Sequence, residues 1–123
     1  MFTNMKLIFK VVILFFITYS LNSMSKEPDL IPTVELVYWS SLGRINIVQE
    51  LLDNGADPST FDGGGYSALQ AAAENNHLDI VRLLIKKGAS VNYKSKFTAL
   101  ELARMAGNIK VIELLLENGA KET

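Results

Sequence analysis

The stretch that decides the fold is SALQAAAENNHLDIVRLLIKKGA, residues 67–89. Its apolar residues recur at helical spacing on both sides of a polar break, which predicts two short helices folded back on each other. Ser67 is a typical N-cap for a first helix from residue 68 to about residue 75. The second helix is expected over residues 78–87, and Gly88 supplies the left-handed residue that ends it.

Weaker copies of this stretch lie on both sides of it. The dipeptide Gly-Ala recurs at Gly55, Gly88 and Gly119, at spacings of 33 and 31 residues. Counting back from each glycine finds apolar residues of similar size in the same columns, and a period near 33 residues predicts an array of three structural repeats. The leucines that precede these glycines by nineteen residues are Leu36, Leu69 and Leu100.

The third copy follows the plan of the middle one. Thr98 is expected to cap a helix over residues 99–106, and a turn then leads into a second helix over residues 109–118. The segments between helical pairs, residues 57–66 and 90–97, are rich in turn formers and aromatic residues. They are therefore predicted to form projecting hairpin loops.

The repeat units carry a family motif. S-A-L-Q-A-A-A at residues 67–73 and T-A-L-E-L-A-R at residues 98–104 resemble the T-P-L-H-x-A-A signature of ankyrin repeats, and the later I-V-x-L-L-x-x-G-A pattern is similar too. The resemblance implies an all-α ankyrin-repeat solenoid of about three helix–turn–helix units with short β-hairpin-like loops. It places the domain at residues 34–123, with repeats at approximately 34–62, 63–94 and 95–123.

Several departures from the pattern have structural consequences. Gln70 and Glu101 replace the family histidine, which normally helps to tie neighbouring loops, so looser stacking of the hairpins is expected. Tyr38 and Trp39 stand in the first copy where the later copies have Ala or Leu, and their bulk is expected to cover the open end of the array. The helix over residues 109–118 is so rich in Leu, Ile and Val that some of its apolar surface is expected to stay exposed.

The N-terminal segment has the parts of a secretory signal peptide. Lys6 and Lys10 precede or interrupt the start of an apolar run, and the uninterrupted part over residues 11–21 is 11 residues long. A membrane span needs roughly 20 apolar residues, whereas a shorter run suits the centre of a signal peptide. Residues 1–25 are therefore predicted to be a cleaved signal peptide, with an uncleaved membrane anchor as the alternative.

A short lead-in is expected between this segment and the repeats. Ser23 and Ser25 suit the small positions of a cleavage site before Lys26. Residues 26–33 contain two prolines that disfavour helix, which predicts an extended conformation. Export of the mature chain implies a periplasmic or secreted protein.

Composition and motifs argue against several function classes. The net charge is −1 and no basic stripe is visible, which argues against nucleic acid as a partner. The chain has no cysteine and His77 is its one histidine, so no metal or cofactor is predicted and His77 is expected to bond nearby backbone. The run Gly63-Gly64-Gly65 lacks the ending of a phosphate-binding loop. Since no nucleophile–base pair is recognisable, the protein is predicted not to be an enzyme.

Binding to another protein is the remaining function class. In ankyrin-like arrays the partner usually meets the hairpin tips and the exposed face of the first helices, so the resemblance implies the same surface here. Aromatic side chains at the tips are suited to anchor a partner. The residues predicted to bind it are Phe61, Asp62, Tyr66, Glu74, Asn75, Tyr93, Lys94, Phe97 and Met105.

Two uses of an exported binding module stay open. One is a bacterial immunity or inhibitor protein, and the other is an accessory protein for an envelope enzyme. A membrane-tethered ankyrin scaffold with an uncleaved N-terminal anchor is the alternative to export. The apolar helix over residues 109–118 is a candidate contact between two copies of the chain in a homo-oligomer, and an incompletely capped core is the alternative interpretation. Contact with a membrane is otherwise expected only in transit.

Overall fold

The computed structural model describes residues 8, 10–15, 17 and 32–122, and the chain divides into two compact units, residues 1–30 and 31–123. In the first unit the described residues are helical and their side chains are exposed. No helix within the described ranges is long and apolar enough to span a bilayer. The predicted cleavage site at Ser23 and Ser25 lies outside these ranges, as does the lead-in up to residue 31.

The second unit is built from helices that pair in sequence order. Residues 32–122 contain six helices and two isolated antiparallel bridges, Phe61 with Ser67 and Lys94 with Thr98. The helices are α1 (Pro32–Ser41), α2 (Ile45–Asp53), α3 (Ala68–Glu74), α4 (Leu78–Lys86), α5 (Ala99–Ala106) and α6 (Ile109–Glu117). Each odd-numbered helix packs against the helix that follows it. The predicted all-α architecture of three helix–turn–helix repeats is confirmed.

The three pairs stack in two layers. The first helices α1, α3 and α5 pack side by side in one layer, and the second helices α2, α4 and α6 form the other. The first-helix layer is tight because Ala71, Ala72 and Ala73 of α3 are fully buried and carry no side chain beyond Cβ. Larger residues of the second helices, such as Val81 and Leu84, complete the core. One apolar cluster therefore runs through all three repeats.

Capping boxes determine where α3 and α5 begin. The Ser67 hydroxyl accepts from the amide of Gln70 at 3.1 Å, and the side-chain oxygen of Gln70 accepts from the amide of Ser67 at 2.9 Å. Thr98 and Glu101 form the same reciprocal pair, at 3.1 and 2.7 Å. Each box satisfies two amides that lack a partner within the helix. The predicted caps at Ser67 and Thr98 are confirmed.

The second helices end at left-handed glycines. Gly88 follows α4 with φ of +95°, a conformation that residues with a Cβ rarely adopt. Helix α4 ends at Lys86, because Lys87 is a cap residue with φ of −85° and ψ of 1°. Helix α6 likewise ends at Glu117, before the cap residue Asn118. Both helices are one residue shorter than predicted.

Helix α1 begins earlier than its prolines suggest. Its first residue is Pro32, inside the segment over residues 26–33 for which an extended conformation is predicted. That prediction is wrong for the last two residues of the segment. Proline lacks an amide hydrogen, but the first turn of a helix needs no such donor and the φ angle of proline is already helical. Pro32 therefore starts the helix instead of preventing it.

The two ends of the array are covered unequally. Trp39 is half-buried and packs against the core, as predicted for a cap. Tyr38 contacts Trp39 edge-on, with ring centroids 5.0 Å apart, but it stays 54% exposed and adds little cover. At the other end, helix α6 leaves Ile109 67% exposed and Leu116 39% exposed. The apolar surface expected on this helix is therefore present.

Candidate functional site

The first hairpin loop is shaped by Asp62. Its carboxylate accepts from the amides of Gly64 and Tyr66, both at 2.9 Å, and its own amide donates to the carbonyl of Tyr66 at 3.0 Å. A side chain that bonds the backbone two residues on closes a turn locally. Asp62, which is predicted to bind a partner, is half-buried, and its hydrogen bonds shape the loop.

Tyr66 fastens this loop to helix α3. Its ring is half-buried, and its hydroxyl donates to the carboxylate of Glu74 at the end of the helix. Burial raises the pKa of Tyr66 well above its usual value, and the hydrogen bond to Glu74 and the charges of Glu74 and Asp62 raise it further. The phenol therefore stays protonated and remains a donor. Tyr66 and Glu74, both predicted to bind a partner, are joined to each other.

An aromatic stack joins the two hairpin loops. The rings of Phe61 and Tyr93 have centroids 5.2 Å apart and lie only 4° from parallel. The Tyr93 hydroxyl donates to the carbonyl of Gly65 at 2.8 Å, which holds this ring against the first loop. Phe61 is 52% exposed, so much of its surface remains open to solvent. Two of the predicted anchors, Phe61 and Tyr93, are thus combined into one surface, which we call the aromatic stack.

The second hairpin loop places charges near the aromatic stack. Lys94 pairs with Glu101 at 3.4 Å, and such a partly exposed ion pair contributes at most about 1 kcal/mol. Lys96 lies over the ring of Phe97, with its ammonium 5.3 Å from the centroid. Phe97 is half-buried and its carbonyl is used inside the array, so it offers less open surface than the stack does.

The predicted first-helix face lies at the C-terminal ends of α3 and α5. Glu74 and Met105 occupy the same repeat position, and both are exposed. Asn75 caps α3, and its side-chain amide donates to the carbonyl of Ala71 at 2.9 Å. Glu74 is joined to a hairpin loop through Tyr66, whereas Met105 presents a free apolar side chain beside it in the layer.

A buried polar side chain links the second repeat to the third, and the repeat motif gives no indication of this link. Gln70 is buried, and its side-chain nitrogen donates to the carbonyl of Phe97 in the following loop at 2.7 Å. The expectation of looser hairpin stacking is wrong for this pair of loops. A glutamine amide has both an acceptor and a donor, so it caps its own helix with the oxygen and reaches the next repeat with the nitrogen.

A second set of hydrogen bonds between repeats lies at the left-handed glycines. The Ser59 hydroxyl donates to the carbonyl of Gly88 at 3.4 Å. One repeat later, the side-chain nitrogen of Asn92 donates to the carbonyl of Gly119 at 3.0 Å, and its side-chain oxygen accepts from the backbone amide of Lys121 at 2.8 Å. A polar residue four positions after a Gly-Ala glycine is the sequence feature that identifies these ties.

His77 has a structural role. Its Nε2 lies 2.9 Å from the carbonyl oxygen of Ser41, which can only accept, so Nε2 carries the proton. The imidazole lies against Gly43, where an added Cβ would come within 2.5 Å of Cε1. Asn108 holds the same position in the next repeat and donates to the carbonyl of Ala73 at 2.8 Å. The predicted bond of His77 to nearby backbone is confirmed.

The described residues form a shallow groove between two turns but no metal-binding cluster. In the described ranges, no three His, Asp or Glu side chains are grouped so as to hold a metal ion. A shallow groove of about 360 Å³ separates the turns of the second and third repeats. It is lined by Asn76, Leu78, Gly107, Asn108, Ile109 and Lys110.

Comparison with known proteins identifies the repeats. A family model described as ankyrin repeats (3 copies) matches residues 36–123. The ankyrin repeat and KH domain-containing protein mask-1 of Caenorhabditis elegans is 43% identical over 88 residues, which cover 69% of this chain and 3% of that protein. Ankyrin repeat and SOCS box protein 3 of Bos taurus is 38% identical over 83 residues, 63% of this chain and 16% of that protein.

A third relative matches a longer stretch. Transient receptor potential cation channel subfamily A member 1 of Homo sapiens is 34% identical over 108 residues, 85% of this chain and 9% of that protein. The chain thus spans less than a fifth of the length of each of these relatives, and the likeness concerns the repeats. The family match, the repeat period and the stacked helix pairs agree: the chain belongs to the ankyrin-repeat family, whose repeats are protein–protein interaction modules.

Proposed function

We propose that this protein is a non-enzymatic interaction module that binds a partner protein through the aromatic stack and the neighbouring first-helix face. The observation that carries the proposal is the stacking of a half-exposed Phe61 on Tyr93. Aromatic anchors that are held in place before binding lose little conformational entropy, and such anchors dominate interface energies. The exposed side chain of Met105 adds apolar area on the helical side.

Phe61 is a better probe of this surface than the other aromatic residues. The hydroxyl of Tyr66 is bound to Glu74, and the ring of Phe97 is half-buried beneath Lys96. Truncating either of them would disturb the loop itself, so a loss of binding would not report on a contact with the partner. The ring of Phe61 stacks on Tyr93, and 52% of the surface of Phe61 stays exposed.

Affinity capture from the native host tests the surface. We expect Phe61→Ala to lower recovery of the partner at least about 5-fold, because removing an anchor typically costs more than about 1 kcal/mol. Tyr38→Ala is the matched control, since Tyr38 is an aromatic residue of similar exposure (54%) outside the hairpin loops. Both variants should keep the wild-type circular dichroism spectrum. Undiminished recovery by Phe61→Ala would rule out the aromatic stack as the binding surface.

We further propose that the protein is exported, as a periplasmic or secreted protein. The apolar run over residues 11–21, with lysines before it and small residues after it, supports this. In a bacterial envelope the partner would be either a delivered toxin or enzyme that the module neutralises, or an envelope enzyme that it assists. The identity of the captured protein distinguishes these two versions.

Export has its own test. The intact mass of the protein recovered from its host should correspond to a chain that begins near Lys26. A chain that still carries Met1 and fractionates with membranes would favour the alternative, a membrane-tethered ankyrin scaffold. This result would leave the proposed binding surface unaffected, because the aromatic stack belongs to the second unit of the chain.

A further inference from the structure

One helix face is only partly covered by residues 32–122. In the second repeat, Leu78 and Ile85 of α4 line grooves shared with residues of the third repeat. Their equivalents in α6 are Ile109 and Leu116, which are 67% and 39% exposed. Ile112 lies between them at helical spacing and is half-buried. We call the stripe of Ile109, Ile112 and Leu116 the α6 face.

We propose that a second copy of this chain covers the α6 face, with the two α6 helices packed antiparallel about a twofold axis. A helix that keeps apolar residues at a repeat position normally covered by another helix is suited to receive a further apolar helix. In the antiparallel pair Ile109 of each copy faces Leu116 of the other, and the two Ile112 side chains meet near the axis. The same patch is then used by both copies, as twofold symmetry requires.

The charges beside the α6 face favour this orientation. Lys110, Glu113 and Glu117 follow one border of the stripe, since successive residues turn by about 100° in a helix. None of the three is in an ion pair with another described residue. At a rise of about 1.5 Å per residue, the antiparallel register places Lys110 of one copy between Glu113 and Glu117 of the other. A parallel twofold pair would instead place the two charged borders on opposite sides of the contact, so these attractions would be lost.

The contact is small and independent of the aromatic stack. Three apolar side chains on a helix of 9 residues bury less than the roughly 1,600 Å² of a standard interface. We therefore expect a reversible dimer with a dissociation constant on the order of 10–100 μM. The α6 face lies in the second-helix layer, whereas the aromatic stack lies on the hairpin loops. Self-association and capture of a partner can consequently succeed or fail separately.

Sedimentation velocity of the full chain over a concentration series tests the dimer. Lys110→Glu makes the charged border wholly acidic, and the double variant Glu113→Lys/Glu117→Lys makes it wholly basic. Each protein alone should associate at least about 10-fold more weakly than the wild type, because like charges now face each other. Mixed in equal amounts, the two variants should form a heterodimer at least as tight as the wild-type dimer.

Matched controls separate this contact from other association. Glu50→Lys reverses one charge at an exposed position of α2 and should leave the dimer unchanged. All these substitutions lie at exposed helix positions, where effects on folding are usually within about 0.5 kcal/mol. A wild-type chain that stays monomeric up to about 500 μM would overturn the proposal. Association that ignores the charge reversals, as expected if exposed residues such as Val11 and Phe15 drive it, would overturn it too.

Discussion

At both interfaces between repeats, a side chain at the same repeat position forms a hydrogen bond with a backbone carbonyl of the preceding repeat, but the residue type differs. Between the first and second repeats, His77 donates to the carbonyl of Ser41 and its ring packs against Gly43. Between the second and third repeats, Asn108 makes the corresponding bond to the carbonyl of Glu74 at 3.0 Å and another to that of Ala73, and a groove remains beside it. The repeat position therefore specifies the hydrogen bond, whereas side-chain volume decides how closely the turns pack.

A neighbouring residue explains the choice between histidine and asparagine. The first-repeat turn has Gly43 with φ of +72°, and the second-repeat turn has Asn76 at the same position with φ of +61°. Because a Cβ at this position would collide with an imidazole, the ring of His77 needs glycine next to it. Asn76 carries a Cβ, and the smaller Asn108 accompanies it. The two pairs are alternative solutions to the same contact.

The hairpin side of the two interfaces differs as well. Gln70 links the second repeat to the loop of the third by a buried hydrogen bond, while the first repeat has the apolar Val37 at this position. The first interface instead contains a partly exposed ion pair between Lys87 and Asp53 at 3.2 Å. Such a pair is weak and screened by salt. The first interface thus depends more on packing, and the second on a buried amide.

The largest expected effect comes from Gly43→Ala. The new methyl group would lie 2.5 Å from the imidazole of His77 on a left-handed backbone. We expect the free energy of unfolding to fall by about 3 kcal/mol, of which about 1–2 kcal/mol comes from the backbone conformation. Gly107→Ala is the matched control, because it has φ of +74° and nothing within 4 Å of the added Cβ. Urea denaturation followed by circular dichroism should show the larger loss for Gly43→Ala, and equal losses would contradict the packing of His77 against Gly43.

A smaller loss is expected from Gln70→Ala, which tests the hairpin side. This change removes a capping box and leaves the buried carbonyl of Phe97 without its donor, so we expect a loss of about 2–3 kcal/mol. Glu101→Ala removes the equivalent capping box of α5, for which we expect a loss of about 1 kcal/mol. The same urea titrations measure both variants. If Gln70→Ala cost no more than Glu101→Ala, the link to Phe97 would contribute nothing to stability.

The smallest expected effect comes from replacing the Asn76–Asn108 pair of the second interface with the glycine–histidine pair found at the first interface. Asn108→His alone should lower the free energy of unfolding by about 1 kcal/mol, because the ring meets the Cβ of Asn76. Asn76→Gly with Asn108→His recreates the pair found at the first interface and should regain or exceed wild-type stability. The four proteins form a double-mutant cycle with an expected coupling of about 1–2 kcal/mol. Additive effects would show that the two positions are independent.

Much of the fold follows from the sequence because the relevant interactions are local. Ser67 and Thr98 cap their helices through residues three positions away, and a left-handed glycine ends a helix through its own backbone. The helix bounds of α4 and α6 are consequently within one residue of the prediction. The conformation at Pro32 is harder to predict, because proline is compatible both with an extended segment and with the first turn of a helix.

The candidate site depended more on contacts between distant residues. The sequence indicates aromatic residues at the tips, but not that Phe61 stacks on Tyr93, 32 positions later in the chain. It also does not show that Tyr66 is bound to Glu74, or that Phe97 is half-buried. Such pairings depend on how the helices and loops of one repeat are positioned relative to those of the previous repeat. The motif alone does not specify this relative position.

The repeat period, the helical pairs, their caps and the family of the fold can therefore be predicted from the amino-acid sequence. The helical pairs recur three times and the capping boxes twice, and both are encoded by residues within a turn or two of each other. Tertiary structure decided how Gln70 and His77 are used and which aromatic side chain stays open. It also decided that Ile109 and Leu116 of α6 remain exposed within residues 32–122. The physical reason is that burial and hydrogen-bond partners are properties of the stacked array, in which each repeat supplies what its neighbour lacks.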